Sequence, residues 1–207
     1  MYIFIDYDGT IVKSSEEEFM KAYFKNLSNY FGIPFNEILT LVMESVNEAM
    51  KSTDGTKSLY MKFAEVFSKR TDKPFEYWAE KFTYFYENIF DQVESVIEPN
   101  LKLTNLIKST NQKLVFASNP LFPEIATVKR IKFAGLSPDN FVYVAHMENC
   151  RFAKPNPIFF KDIMDKLSIL PQECVMIGDS EFDRASEKVG IRFVHIADEP
   201  EWEKFFS

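Results

Sequence analysis

Beyond residue 99, short apolar runs alternate with longer stretches of helical spacing, and this order leaves the chain few architectures. Leu101–Ser109 has helical spacing, Lys113–Ala117 reads as a strand, Phe122–Phe133 is helical and Phe141–Ala145 is a strand. The alternation continues through helix Pro157–Lys166, strand Cys174–Ile177, helix Glu181–Val189 and strand Arg192–Ile196, and a short helix over Glu199–Phe206 closes the tail. Residues 2–6 add one more short apolar strand at the start of the chain. Short continuous apolar runs suit strands covered on both faces. This order therefore predicts the α/β class, with a parallel, doubly wound sheet and right-handed crossovers.

The segment between the first strand and this alternation has a different rhythm. Glu16–Phe31, Asn36–Met50, Lys57–Lys69 and Pro74–Phe90 each carry helical spacing. In the first, Phe19, Tyr23, Phe24, Leu27, Tyr30 and Phe31 fall on one broad face. Breakers separate the four: Gly32-Ile33-Pro34, Asp54-Gly55 and Thr71-Asp72-Lys73-Pro74. The reading is an α/β core made of residues 1–13 and 94–207, with an all-helical domain, 14–93, inserted into it.

The chain's 207 residues suit one large domain or a core with a smaller insert. A hydrophobic fraction of 46% with 22 Phe supplies the material to fill both. A net charge of −7 argues against a nucleic-acid surface. It leaves room for a small phosphorylated partner, because a local site can be positive on an acidic protein. Cys150 and Cys174 are distant and form no paired motif, as expected of inert thiols in a reducing compartment. No apolar run has the length of a signal peptide or a membrane span. A soluble, cytoplasmic protein with no membrane partner is expected.

In doubly wound sheets, ligands bind beyond the carboxyl ends of the strands. Four places are selected: Asp6, Ser118-Asn119, the loop after Phe141–Ala145, and Gly178-Asp179. At the first, Asp6 and Asp8 stand two residues apart, and like charges that close cost free energy unless something compensates them. A plain turn pair at a strand end, and an ordinary turn at Ser118-Asn119, are the competing readings.

Taken together, these sites resemble a known family. Asp6-Tyr7-Asp8-Gly9-Thr10 resembles the first motif of the haloacid dehalogenase superfamily in its phosphatase form, DxDGT. Ser118-Asn119 is similar to its second motif, Lys154-Pro155-Asn156-Pro157-Ile158-Phe159-Phe160 to its third, and Gly178-Asp179-Ser180-Glu181-Phe182-Asp183 to its fourth. The four occur in the family's order, each at an expected strand end or helix start. The resemblance implies a Rossmann-like core, and it makes the helical insertion a cap of the C1 type.

It also implies roles. Asp6 would be the nucleophile, forming an aspartyl-phosphate. Asp8 would be general acid and base. Lys154 would pair with both phosphate and Asp6. Thr10, Ser118 and Asn119 would bind the phosphate. Mg²⁺ would be held by Asp6, the Asp8 backbone carbonyl and Asp179, with Asp183 in the outer shell. The expected function is Mg²⁺-dependent hydrolysis of a small phosphorylated metabolite. A sugar phosphomutase is the alternative within the superfamily, and a non-catalytic metal- or phosphate-binding module is the alternative outside it. A dehalogenase would have no use for Asp8 and magnesium. A phosphonate hydrolase is also disfavoured: it would need a cap lysine for a Schiff base, and Lys57 is the one weak candidate. Specificity is expected from Lys13 and from the polar loop 52–58. His195 reads as packing within its strand and His146 as a loop residue.

Overall fold

The computed structural model describes residues 1–207. Five parallel strands, β1 (Tyr2–Ile5), β2 (Lys113–Phe116), β3 (Tyr143–Val144), β4 (Cys174–Gly178) and β5 (Arg192–His195), form one sheet in the order β3-β2-β1-β4-β5. The first strand is therefore central. The chain builds outward on one side to β3, then returns to the other side for β4, so strand order reverses next to β1. That reversal opens a crevice at the strands' carboxyl ends.

The strands are apolar throughout because both faces are covered. Alternate side chains point to opposite faces. Ile3, Ile5, Leu114, Phe116, Val175 and Ile177 pack with Leu103, Ile107, Trp202 and Phe206. On the other face Phe4, Val115, Met176 and Phe193 pack with Phe159, Phe160 and Ile163. The first of these layers includes α5 (Leu101–Ser109) and α9 (Glu199–Glu203), and the second includes α7 (Ile158–Leu167).

Four helices form the insertion: α1 (Glu16–Phe31), α2 (Phe35–Lys51), α3 (Leu59–Thr71) and α4 (Phe75–Asn88). Ser15 and Ser58 cap α1 and α3 by accepting from the amides of Glu18 and Met61. Gly32 ends α1 at φ 66°, where glycine carries no Cβ penalty. Phe19, Tyr23, Phe24, Phe82, Phe85 and Phe90 belong to the same apolar cluster as the sheet face bearing Phe4. The two connections to the core run side by side: Lys13 N donates to Glu98 O at 2.8 Å, and Asn100 N to Ile11 O at 2.8 Å.

Three elements differ from the sequence expectation. Strand β3, at one edge of the sheet, has only two residues. Helix α4 stops at Asn88, and a 3₁₀ stretch, Phe90–Val96, carries the chain out of the cap. The helix expected over Glu181–Val189 divides into α8 (Glu181–Arg184) and a 3₁₀ stretch, Ala185–Val189. Between β2 and β3 lies α6 (Glu124–Phe133).

Candidate active site

Four distant segments meet at the carboxyl ends of β1, β2 and β4. Asp6 leaves β1 with its amide still in the ladder, donating to Ile177 O at 2.9 Å. Its carboxylate Oδ1 accepts from Lys154 Nζ at 2.7 Å. The same ammonium donates to Asp183 Oδ1 at 2.5 Å. All three side chains are buried, so the ion pairs are shielded from water and weakly screened.

Asp183 has both oxygens in use. Oδ2 accepts from Ser180 Oγ at 2.8 Å and from the amides of Asp179 and Ser180 at 3.2 Å. It thus holds the turn that carries Asp179. Gly178 permits this arrangement, because a Cβ there would lie 2.4 Å from Asp183 Cγ. Gly9 plays a similar part at φ 73°: a Cβ would lie 2.1 Å from Asp179 Oδ2. On the far side of that turn, Ala197 N donates to His195 Nδ1, leaving Nε2–H to donate to Asp179 O at 2.9 Å. His195 is exposed, so the packing role expected for it does not hold.

Asp6, Asp179 and Asp183 each place a carboxylate oxygen within 4.8 Å of the others. Three ionised carboxylates against one ammonium leave a formal charge of −2. A divalent cation would cancel it, and hard carboxylate oxygens suit magnesium. Burial alone is costly for this set. It raises the Asp6 carboxyl from the ordinary range to about 7; Lys154 opposes the rise, while Asp183 and Asp8 add to it. Asp179 is also raised, by burial and then by Asp183. For Lys154, burial pulls downward, but attraction to Asp6 and Asp183 outweighs it and keeps the ammonium charged. A proton on Asp6 is therefore the cheap occupant of the site when no cation is bound.

Two of the expected phosphate ligands are unsatisfied. Thr10 Oγ1 and Ser118 Oγ are buried with no hydrogen-bond partner. Buried hydroxyls without partners are uncommon and call for an explanation. Asn119 lines the cleft, but its side chain is engaged elsewhere. Its Oδ1 accepts from Lys154 N at 3.0 Å, and its Nδ2 donates to Lys154 O at 3.4 Å. It clamps the backbone of the lysine.

Sequence reasoning missed Arg130. This buried residue of α6 donates from one terminal nitrogen to both carboxylate oxygens of Asp8, at 2.6 and 2.7 Å. Its guanidinium lies 4.3 Å from the centre of the Tyr7 ring, 4.9 Å from Phe122 and 5.1 Å from Phe19. Tyr7 OH in turn donates to Arg130 O at 2.7 Å. Arg130 is one of three basic residues in Val128–Phe133, and nothing local sets it apart from Lys129 and Lys132.

The expectation for Lys13 and loop 52–58 is not met. Neither lines the cleft. The loop faces the segment that leads to Lys154: Arg151 donates to Gly55 O at 2.8 Å, and at the start of α3 Leu59 N donates to Cys150 O at 2.8 Å. Lys57 is taken up by Glu65 at 2.6 Å. His146 is held by Glu148 at 2.8 Å and does not line the cleft. No helix is long and apolar enough to cross a membrane.

Comparison with known proteins adds three observations. Residues 1–186 match the family model described as haloacid dehalogenase-like hydrolase. A search of curated proteins finds none that matches the sequence. Among solved structures, a HAD-family enzyme of Bacteroides thetaiotaomicron in complex with magnesium and inorganic phosphate aligns with TM-score 0.56 at 18% identity, over 94% of this chain and 92% of that one. A HAD phosphatase of Thermococcus onnurineus aligns with TM-score 0.55 at 22% identity, over 94% and 85%. An L-2-haloacid dehalogenase of Xanthobacter autotrophicus aligns with TM-score 0.56 at 14% identity, over 93% and 75%.

Proposed function

Because the chain belongs to the haloacid dehalogenase-like hydrolases, we propose that it hydrolyses a small phosphomonoester, with Asp6 as nucleophile and Mg²⁺ as cofactor. The observation that carries this reading is the Asp6–Lys154–Asp183 bridge at the carboxyl end of the central strand, with a second carboxylate, Asp8, two residues further on. A structural ion pair would need neither Asp8 nor the unpartnered hydroxyls of Thr10 and Ser118.

In this reading Lys154 keeps the Asp6 oxygens aligned and offsets like-charge repulsion as a phosphate dianion approaches. The hydroxyls of Thr10 and Ser118 donate to the phosphate oxygens. Asp6 attacks phosphorus; the ester oxygen leaves with a proton from Asp8, and the phosphoryl group stays on the Asp6 carboxylate. Asp8 then takes a proton from water as that water attacks phosphorus and releases inorganic phosphate. Asp6, the Asp8 backbone carbonyl and Asp179 would hold Mg²⁺, and Asp183 would orient them through the Asp179–Ser180 amides. The metal supplies positive charge against the phosphate oxygens.

The test is turnover of p-nitrophenyl phosphate by purified protein. Activity is expected with Mg²⁺, with near-complete loss after chelation and in Asp6→Asn. Equal rates in Asp6→Asn and the parent would remove Asp6 from the nucleophile's role. Metal binding without turnover of any phosphoester would favour a binding module instead.

A further inference from the structure

The cleft above the carboxylates has a volume of about 540 Å³, which is ample for a substrate larger than phosphate itself. Its positive charge is confined to the floor. Arg130 and Lys154 are the only cations that line it. Asp8 occupies the first, and Asp6 and Asp183 occupy the second. The cap contributes no cation and one carboxylate, Glu16.

The cap walls are apolar. Met20 and Phe24 of α1 face the cleft together with Val42, Met43, Val46 and Met50 of α2. Polar atoms are scarce and partly spent. Ser14 Oγ accepts from Glu98 N at 2.6 Å, and the Tyr23 and Tyr86 hydroxyls are 2.8 Å apart and bonded to each other. Asn47 is the one cap amide in the lining. At the cleft edge Phe182 stands beside the Asp179 turn and is 52% exposed. A half-exposed aromatic there contributes little to the core and offers a face to a ligand.

The walls lead onward. Tyr23, Val42, Val46 and Leu121 also bound a second, smaller cavity of about 110 Å³ between cap and core, lined mainly by apolar and aromatic side chains such as Phe63, Phe75 and Phe82, with Glu148 as its one charged residue. A polyol or a second anion placed against these surfaces would surrender its water without recovering hydrogen bonds or counter-charge. An apolar group would gain from the same transfer.

We propose that the substrate is a phosphomonoester of an uncharged, predominantly apolar alcohol, whose hydrocarbon or aryl part lies along α1 and α2 and points toward the smaller cavity between cap and core. This rests on the phosphatase reading above and narrows it.

The experiment compares kcat/KM, with Mg²⁺ and below micelle-forming concentrations, for butyl, hexyl and octyl phosphate, 2-naphthyl phosphate, glucose 6-phosphate and phosphoglycolate, with p-nitrophenyl phosphate as the common reference. The alkyl series is expected to rise by up to about fourfold per methylene, mainly through KM. Octyl and naphthyl phosphate should exceed the sugar and acid phosphates at least a hundredfold. In Met43→Lys and Met50→Lys, each checked for an unchanged melting transition, octyl phosphate should lose at least tenfold while phosphoglycolate gains. A flat alkyl series, or glucose 6-phosphate or phosphoglycolate matching octyl phosphate, would overturn the proposal and leave the phosphatase reading standing. Absence of turnover on every compound, p-nitrophenyl phosphate included, would overturn both.

Discussion

Arg130 and Asp8 are 122 residues apart in the chain, yet one guanidinium nitrogen lies 2.6 and 2.7 Å from the two carboxylate oxygens. The arginine is buried beneath three aromatic rings, while the Asp8 side chain is 44% exposed. The pair therefore anchors a partly exposed carboxylate to a buried guanidinium. In Arg130→Met an apolar side chain replaces the buried charge and the partly exposed Asp8 can rehydrate, so the fold should survive, with the lost ring contacts costing roughly 1–3 kcal/mol. Catalysis should suffer too: kcat for an alkyl phosphate should fall at least tenfold with KM nearly unchanged, because the proton donor is no longer positioned. Steady-state kinetics and a thermal melt decide it. An unchanged kcat would make Arg130 a packing residue only.

Lys154 is the sole counter-charge for two buried carboxylates, and removing one partner of a buried pair strands the other. Lys154→Met should cost roughly 3–5 kcal/mol in the metal-free protein. Urea titration measures this directly. Saturating Mg²⁺ should restore part of the loss by supplying the missing positive charge. A loss unaffected by Mg²⁺ would mean that the cation does not contact the same carboxylates.

Two glycines define the space around Asp179 and Asp183. Gly9→Ala puts a methyl 2.1 Å from Asp179 Oδ2, on a backbone at φ 73° that other residues rarely adopt. Gly178→Ala puts one 2.4 Å from Asp183 Cγ. Either carboxylate must move. Isothermal titration should show Mg²⁺ binding at least tenfold weaker in both variants. Unaltered affinity would place the cation elsewhere.

The metal-free protein should lose stability as pH rises toward neutrality. Burial raises the Asp6 carboxyl to about 7, above its unfolded value of 3.8. In that interval the folded state holds a proton that the unfolded state has released. This contribution is therefore complete below the unfolded value and is lost as pH climbs to about 7. Melting temperature without metal should fall between about pH 4 and pH 7 and level off above, and Mg²⁺ affinity should increase over the same range as Asp6 ionises. A Mg²⁺ affinity independent of pH would remove Asp6 from the ligand set.

Much of the core was legible because its signals are local. The apolar runs of β1, β2 and β4 fall within a residue of their expected bounds, and α1 and α5 occupy the predicted ranges. Asp6, Lys154 and Asp183 could be nominated because each sits in a short motif at a strand end or helix start. What stayed hidden depends on packing between distant segments. Arg130 lies on a helix of mixed polarity and becomes part of the site only when α6 meets Tyr7. His195 occupies a strand position, and only the return of the chain past Asp179 reveals its hydrogen bond. The polar loop 52–58 was a reasonable place to seek specificity, but its polar side chains bond within the cap, Asp54 to Thr56, Lys57 to Glu65 and Ser58 to the start of α3, and the cap wall of the cleft is built from apolar residues of α1 and α2 that also read as helix core.

The central claim is that Asp6 carries the phosphoryl group. Asp8→Asn with p-nitrophenyl phosphate tests it most directly, since a good leaving group departs without an acid while the second step lacks its base. Rapid acid quench, borohydride reduction and peptide mass spectrometry should convert the residue bearing the acyl phosphate to homoserine. The account predicts homoserine at position 6, in proportion to the p-nitrophenol released in the first turnover. Release of p-nitrophenol with Asp6 unmodified, or with homoserine at another aspartate, would contradict it.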